Sequence, residues 1–368
     1  MGLNILIALD DHPDASLTEQ ATRVEVYEKM DQNTHFQIRF MIDVCNDDIA
    51  DRLLNSVNYG RQLSVLVQTD QGLQCLVKGP ILQQNACLQH GGAGSWLDVE
   101  GEDSGYLMGR EVSFRVTPSG TDADIVRTII GNYEQLSPDV TDTPESTHDE
   151  DNHSHAQRDN DLALIRSLAQ RNGYHFWITW DTNGEGTAHF KPRALDGAAQ
   201  ADLIVNLGNN NIDSIQVSAD TRRPTQTEGQ QINLRTNEVI GQSAVLNDTL
   251  LGSDGLSSAA SSVTQTIQLA PTVDDAGAME NRSEAALREA QWFINATCST
   301  SIFRLCKVVR FHTIVNLRGA GTRHSGKYYV TGVRHTIDAA THNMDLELAR
   351  NAWGNEAGPG SGLPSVIF

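Results

Sequence analysis

The chain has 368 residues, with 47 acidic side chains against 27 basic ones and a formal charge of −20; this excludes a surface that wraps nucleic acid by neutralising phosphates. With 39% hydrophobic and 20% charged residues it can fill the cores of two or three domains, and it is neither collagen-like nor wholly disordered. Its five cysteines, Cys45, Cys75, Cys87, Cys298 and Cys306, are odd in number and form no C-x-x-C pair. They read as small buried hydrophobes in a reducing compartment rather than a disulfide or zinc framework.

In chain order, Met1 to Leu9 lacks a basic flank and reads as a strand rather than a signal peptide. No run approaches the ~20 apolar residues of a membrane span. Phe36, Ile38, Phe40 and Ile42 alternate with polar residues, the period-two pattern of a half-buried strand over His35 to Ile42. A short helix is expected at Asp47 to Asn55. Leu63 to Gln68 and Leu73 to Val77 then flank the turn residues Thr69 to Gly72 as a hairpin. Glu111 to Val116 completes a small, mainly antiparallel β unit over residues 1–117.

Beyond Thr117-Pro118-Ser119-Gly120 the apolar spacing changes. Ile125, Val126, Ile129 and Ile130 predict a helix capped by Thr121 or Asp122. Asp139 to Asn160 is acidic and almost free of apolar residues, so it reads as an exposed loop. Asp161 to Asn172 carries Leu162, Ile165, Leu168 and Ala169 on one face, with Asp159 or Asn160 as N-cap and Gly173 just past its end. Strands at Tyr174 to Trp180 and Thr187 to Lys191 close an inserted α+β region, 118–203. From Ile204 to Val217 the chain returns to β. Residues 219–283 are polar and read as a linker or long excursion. Glu284 to Ala296 is predicted as a helix capped by Ser283, followed by strands at Lys307 to Leu317, Lys327 to Ile337 and Asn343 to Ala349. The Gly/Pro-rich tail, 355–368, reads as flexible.

Several motifs invite a functional reading. Gly321-Thr322-Arg323-His324-Ser325-Gly326-Lys327 fits seven places of a phosphate-binding loop. Tyr328 occupies the place of the magnesium-binding Ser or Thr, and a strand follows where a helix is needed, so a hairpin loop is expected. His148, His153 and His155 lie among Asp149, Glu150 and Asp151, which would supply metal ligands, but a loop without a rigid frame does not orient them. Gly91-Gly92-Ala93-Gly94 lacks the strand-to-helix setting of a dinucleotide fingerprint. Trp177, Trp180, Trp292 and Trp353 are expected in core or interface packing. No residue is assigned a catalytic, cofactor-binding or metal-binding role, and no cofactor is expected.

Two stretches carry a resemblance. The first is Asp159-Asn160-Asp161-Leu162-Ala163-Leu164-Ile165-Arg166-Ser167-Leu168-Ala169-Gln170-Arg171-Asn172-Gly173-Tyr174. The second is Gly326-Lys327-Tyr328-Tyr329-Val330-Thr331-Gly332-Val333-Arg334-His335, followed by Met344 to Asn351. Their order and separation resemble the phage late control protein D family of tail hub proteins, which is similar to the hub part of type VI secretion spikes. The match spans most of residues 20–354. It includes the glycine-rich turn Gly319-Ala320-Gly321 and departs from the family pattern at 219–283. The resemblance implies a mainly β fold of two tube-like β-barrels, 1–117 and 204–354, joined by the inserted α/β region and trimerising into a pseudo-sixfold ring. It also implies a structural protein rather than an enzyme, assembled in the host cytoplasm into the virion tail baseplate. Its partners would be two further copies of the chain, a central spike protein on a separate polypeptide, the tail tube and possible wedge and tape-measure proteins, with no sequence-specific nucleic acid. The hub would adapt a sixfold tube to a threefold spike. A peptidoglycan-degrading tail-tip enzyme and a receptor- or carbohydrate-binding β module are the competing classes.

Overall fold

The alternation at His35 to Ile42 is realised as a strand with those bounds, and Phe36, Ile38, Phe40 and Ile42 all face the core. The computed structural model describes residues 5–42, 45, 53–69, 72–92, 94–116, 120–144, 156–232, 239–244, 249–260, 265–269 and 276–354. His148, His153 and His155, most of the helix expected at Asp47 to Asn55, and the 355–368 tail lie outside these residues.

The first half contains β1 (Ile5–Leu9), β2 (His12–Pro13), α1 (Ala15–Gln20), β3 (Ala21–Lys29), β4 (His35–Ile42), a helical turn α2 (53–56), β5 (Gln62–Thr69), β6 (Gly72–Cys87), β7 (Ser95–Glu102) and α3 (Gly105–Met108). The expected hairpin is β5 and β6, with Thr69 opposite Gly72. β6 is longer than its pattern indicated: its first half pairs with β5 and its second half with β7. Gly79 sits where it changes partner, and a Cβ there would lie 1.7 Å from the carbonyl oxygen of Glu102, so only glycine fits.

Residues 115–191 contribute β8 (Arg115–Val116), α4 (Asp122–Ile130), β9 (Leu136–Val140), β10 (Ala156–Gln157), α5 (Asp161–Asn172), β11 (His175–Trp180) and β12 (Gly186–Lys191). Both predicted helices form. Thr121 caps α4 in a reciprocal capping box with Asp124. Asn160 caps α5, and Gly173 ends it in the left-handed conformation, at φ +67°. Leu162, Leu164, Ile165 and Leu168 of α5 are buried against β11, β12 and the outward side of β1, β5 and β6; each contributes about 1.5–3 kcal/mol. Two expectations fail here. Glu111 to Val116 is not a full strand: Val112 and Phe114 are exposed, Arg115–Val116 pairs with β10, and Val112 makes an isolated bridge to Asn160. The supposed acidic loop begins as β9, because Asp139 is held by the side chains of His189 and Lys191 and is not left to solvent.

The remainder comprises β13 (Ala201–Ile204), β14 (Ile215–Ala219), β15 (Gln226–Ile232), β16 (Val239–Ala244), β17 (Asp254–Gly255), α6 (Leu256–Ala259), β18 (Thr266–Leu269), α7 (Ala276–Ala290), β19 (Ile294–Ser301), α8 (Ile302–Leu305), β20 (Ile314–Arg318), α9 (Gly321–His324), β21 (Gly326–Asp338), β22 (His342–Arg350) and β23 (Ala352–Trp353). The polar excursion supplies a three-stranded sheet, β16-β15-β18, and α7 packs on it with Met279 over Gly229. The helix predicted from Ser283 is displaced: Ser283 is buried inside α7, and the apolar run Trp292-Phe293-Ile294 leaves the helix to open β19. The strand predicted from Lys307 starts only at Ile314, because 307–313 is an irregular segment that delivers Arg310 to the interior.

The expected pair of barrels is not present. Eleven strands lie along one open path, β14-β19-β22-β21-β3-β4-β7-β6-β5-β1-β2, and β20 and β13 branch from β21 to complete a 13-stranded sheet. The end strands β14 and β2 do not meet, so no sheet among the described residues closes, and the molecule is a mixed α/β fold with several sheets. The cause is β21. Its first half pairs with β20, and after the bulge at Val330/Gly332 its second half pairs with β3. Strands of the two expected barrels therefore fuse edge to edge into one sheet.

Candidate functional site

β3 sends Val24, Val26 and then Glu28 into the interior, so an acid occupies a core position of the alternating pattern. Arg310 reaches it from the segment after α8. Its Nε donates to Glu28 at 2.8 Å, its Nη2 at 2.5 Å, and its Nη1 and Nη2 donate to the backbone carbonyls of Cys75 and Leu76 at 2.7 and 3.1 Å. His335, the histidine of the second resemblance motif, places Nε2 3.3 Å from Glu28 and Nδ1 3.0 Å from Nε2 of His342. Burial alone would raise the Glu28 carboxyl, but Arg310 and His335 hold it below the usual range. Burial, reinforced by His335, lowers His342 to about 3. One network thus ties β3, β6, β21 and β22 across the fusion line.

A second polar cluster lies where the inserted region meets that line. Asp31, with φ +61°, sits 3.0 Å from Nδ1 of His175 at the start of β11. Burial opposes its ionisation, but His175, Arg193 and Arg166 keep its carboxyl low. Trp177 lies parallel to His312 at 3.7 Å and to His189 at 4.7 Å. His312 is within 2.9 Å of the Tyr329 hydroxyl, and burial, with the nearby His175, Arg193 and His189, pushes its pKa well down. Arg166, on α5, donates to Asn33 at 2.7 Å. Asp103, fully enclosed beside it, is raised to about 6 by burial. The His175–Asp31 pair has the form of an acid–base dyad, but its outer nitrogen is buried and its surroundings are rings and ion pairs. This arrangement fixes one unit against another.

The motif residues fall outside both clusters. Gly321 to His324 form α9, the connection between antiparallel β20 and β21. Gly91, Gly92 and Gly94 lie in the turn after β6. Trp180, Trp292 and Trp353 are buried, as packing residues should be, whereas Trp177 is the half-buried centre of the ring stack. Cys75 and Cys298 are buried, and burial pushes their thiols up to about 11 and about 12; Cys45 and Cys306 are exposed, against expectation. Among the described residues no group of three or more His, Cys, Asp or Glu is placed to hold a metal ion, and no helix is long and apolar enough to cross a membrane. Sequence reasoning missed Glu28 and Arg310. Glu28 was detectable as a carboxylate in step with Val24 and Val26, whereas Arg310 sits in no periodic pattern.

No curated protein matches the sequence significantly. Solved structures do match the fold. A tail protein from Neisseria meningitidis MC58 is similar with a TM-score of 0.66 and 12% identity, over 95% of this chain and 97% of that one. The 43 kDa tail protein of prophage MuSo2 from Shewanella oneidensis is similar with a TM-score of 0.63 and 12% identity, over 95% and 98%. An E. coli component of the type VI secretion system, itself structurally similar to the T4 bacteriophage tail proteins gp27 and gp5, gives 0.55 and 10%, over 92% and 76%. Across most of its length the chain therefore shares the fold of phage tail and spike-hub proteins, as the resemblance implied. In sequence, the model of the Alg8 N-terminal domain matches residues 43–339, and the chain belongs to that family.

Proposed function

We propose that this chain is a structural hub of a contractile tail or a phage-derived injection system, acting as a homotrimer that adapts a sixfold tail tube to a threefold central spike. The observation that carries this reading is the fold likeness to two tail proteins over 95% of this chain and 97–98% of theirs, since a likeness along nearly whole chains is not confined to one local motif. The network at Glu28 and the clusters at His175 and Trp177 support a mechanical role in preference to a catalytic one, because Glu28 and Arg310 are spent on one another, on His335 and on backbone carbonyls, and the Nε2 atoms of His175 and His312 are buried. In this reading the protein assembles in the host cytoplasm and ends in the virion baseplate. Wedge and tape-measure proteins are further neighbours.

Light scattering of the purified chain, alone and mixed with the spike and tube proteins encoded beside it, tests the proposal. The expected result is a mass about three times the 40.2 kDa chain, either alone or on adding the spike. A strict monomer that ignores both partners and cleaves peptidoglycan would overturn it.

A further inference from the structure

A cleft of about 600 Å³ lies between the inserted region and the end of α7. Lys191 and Arg193 come from one wall and Arg288 from the other, against a single lining carboxylate, Asp196. On a chain of charge −20, this is a local reversal of sign. Each cation has an acidic neighbour, Asp139 at 2.5 Å from Lys191, Glu289 at 2.8 Å from Arg193 and Glu284 at 3.7 Å from Arg288, but none of these three carboxylates lines the cleft. Arg193 is the most constrained of the three: only 6% of its side chain is exposed, its guanidinium lies 4.4 Å from the Trp292 ring, and its Nε is buried with no acceptor. A buried donor left without an acceptor is a cost that a ligand oxygen would relieve.

The other half of the recognition is the helix end. α7 stops at Ala290, and Gln291 and Trp292 line the cleft, so the negative end of the helix is turned toward the same space as the cations. That end disfavours a compact dianion such as phosphate, and Gln291, which lines the cleft there, carries an amide that can accept and donate hydrogen bonds. A ligand carrying both carboxylates and backbone amides satisfies both requirements. We propose that this cleft binds an acidic peptide segment, with Lys191, Arg193 and Arg288 taking its carboxylates. The inference goes beyond the hub reading and does not rest on it.

Isothermal titration of the full chain with hexaglutamate tests the proposal, with hexaglutamine and inorganic phosphate as comparators. Hexaglutamate should bind and weaken with salt. Lys191→Gln and Arg288→Gln should each weaken it by about tenfold, and Glu289→Gln, which removes a competing carboxylate, should tighten it. Thermal midpoints of the variants, unchanged from the parent, establish that the fold is kept, and the gain expected of Glu289→Gln cannot come from misfolding. No binding, binding indifferent to all three substitutions, or equal binding of phosphate or hexaglutamine would overturn the proposal.

Discussion

Glu28 and Arg310 place opposite charges in a core otherwise made of Val24, Val26, Phe36 and Ile337. Desolvating such a pair offsets most of its attraction, so its contribution to net stability is small. It does exact register, because an ionised carboxylate shifted by one residue would face no donor. His342 adds a dependence on acid. Its folded pKa of about 3 lies below the ordinary 6.5, so the unfolded chain takes up its proton first. The stability this contributes is complete above pH 6.5 and is lost as pH falls toward 3. Asp103 works the other way: raised from 3.8 to about 6, it loses stability as pH rises through that interval. Replacing His342 with Gln, whose amide can still donate to His335, should therefore flatten the fall in thermal midpoint between pH 6.5 and 4. An unchanged slope in the variant would refute the assignment to His342.

Among the elements, α4 shows how a local signal decides a boundary. Thr121 accepts from the Asp124 N–H, and the Asp124 carboxylate accepts from the N–H of Thr121, satisfying donors that the first turn leaves open. Thr121→Ala should cost about 1 kcal/mol in urea unfolding; a change within error would mean that the buried face of Ile125, Val126, Ile129 and Ile130 holds the boundary alone. Where such signals are local, as at α4, α5 and β4, the sequence was readable. It misled where tertiary partners decide. Trp292, Phe293 and Ile294 suit a helix face as well as a strand, and the choice falls to β22, which pairs with Ile294 through Arg350. The candidate site was readable only in part. His335 stood out in a motif, but its partners lie 307 residues away at Glu28 and seven at His342, and no spacing announces the first.

For the whole molecule, the single open sheet has thermodynamic meaning. Two barrels joined by a linker would unfold as two units, whereas strands hydrogen-bonded across the β3–β21 line share one sheet and one salt-bridged interior. Calorimetry should accordingly record one transition for the body of the chain, with calorimetric and van't Hoff enthalpies in agreement; two resolved peaks would contradict this coupling. The long strand β21 has a further consequence, in the direction of load. Along Gly332 to Asp338 it faces β3 through seven residue pairs while β22 holds its other side. A pull parallel to the strands strains those bonds together, as in a lap joint under shear. A pull across them peels the same bonds one after another. The protein's resistance to force is therefore anisotropic, stiff along β21 and weak at right angles to it.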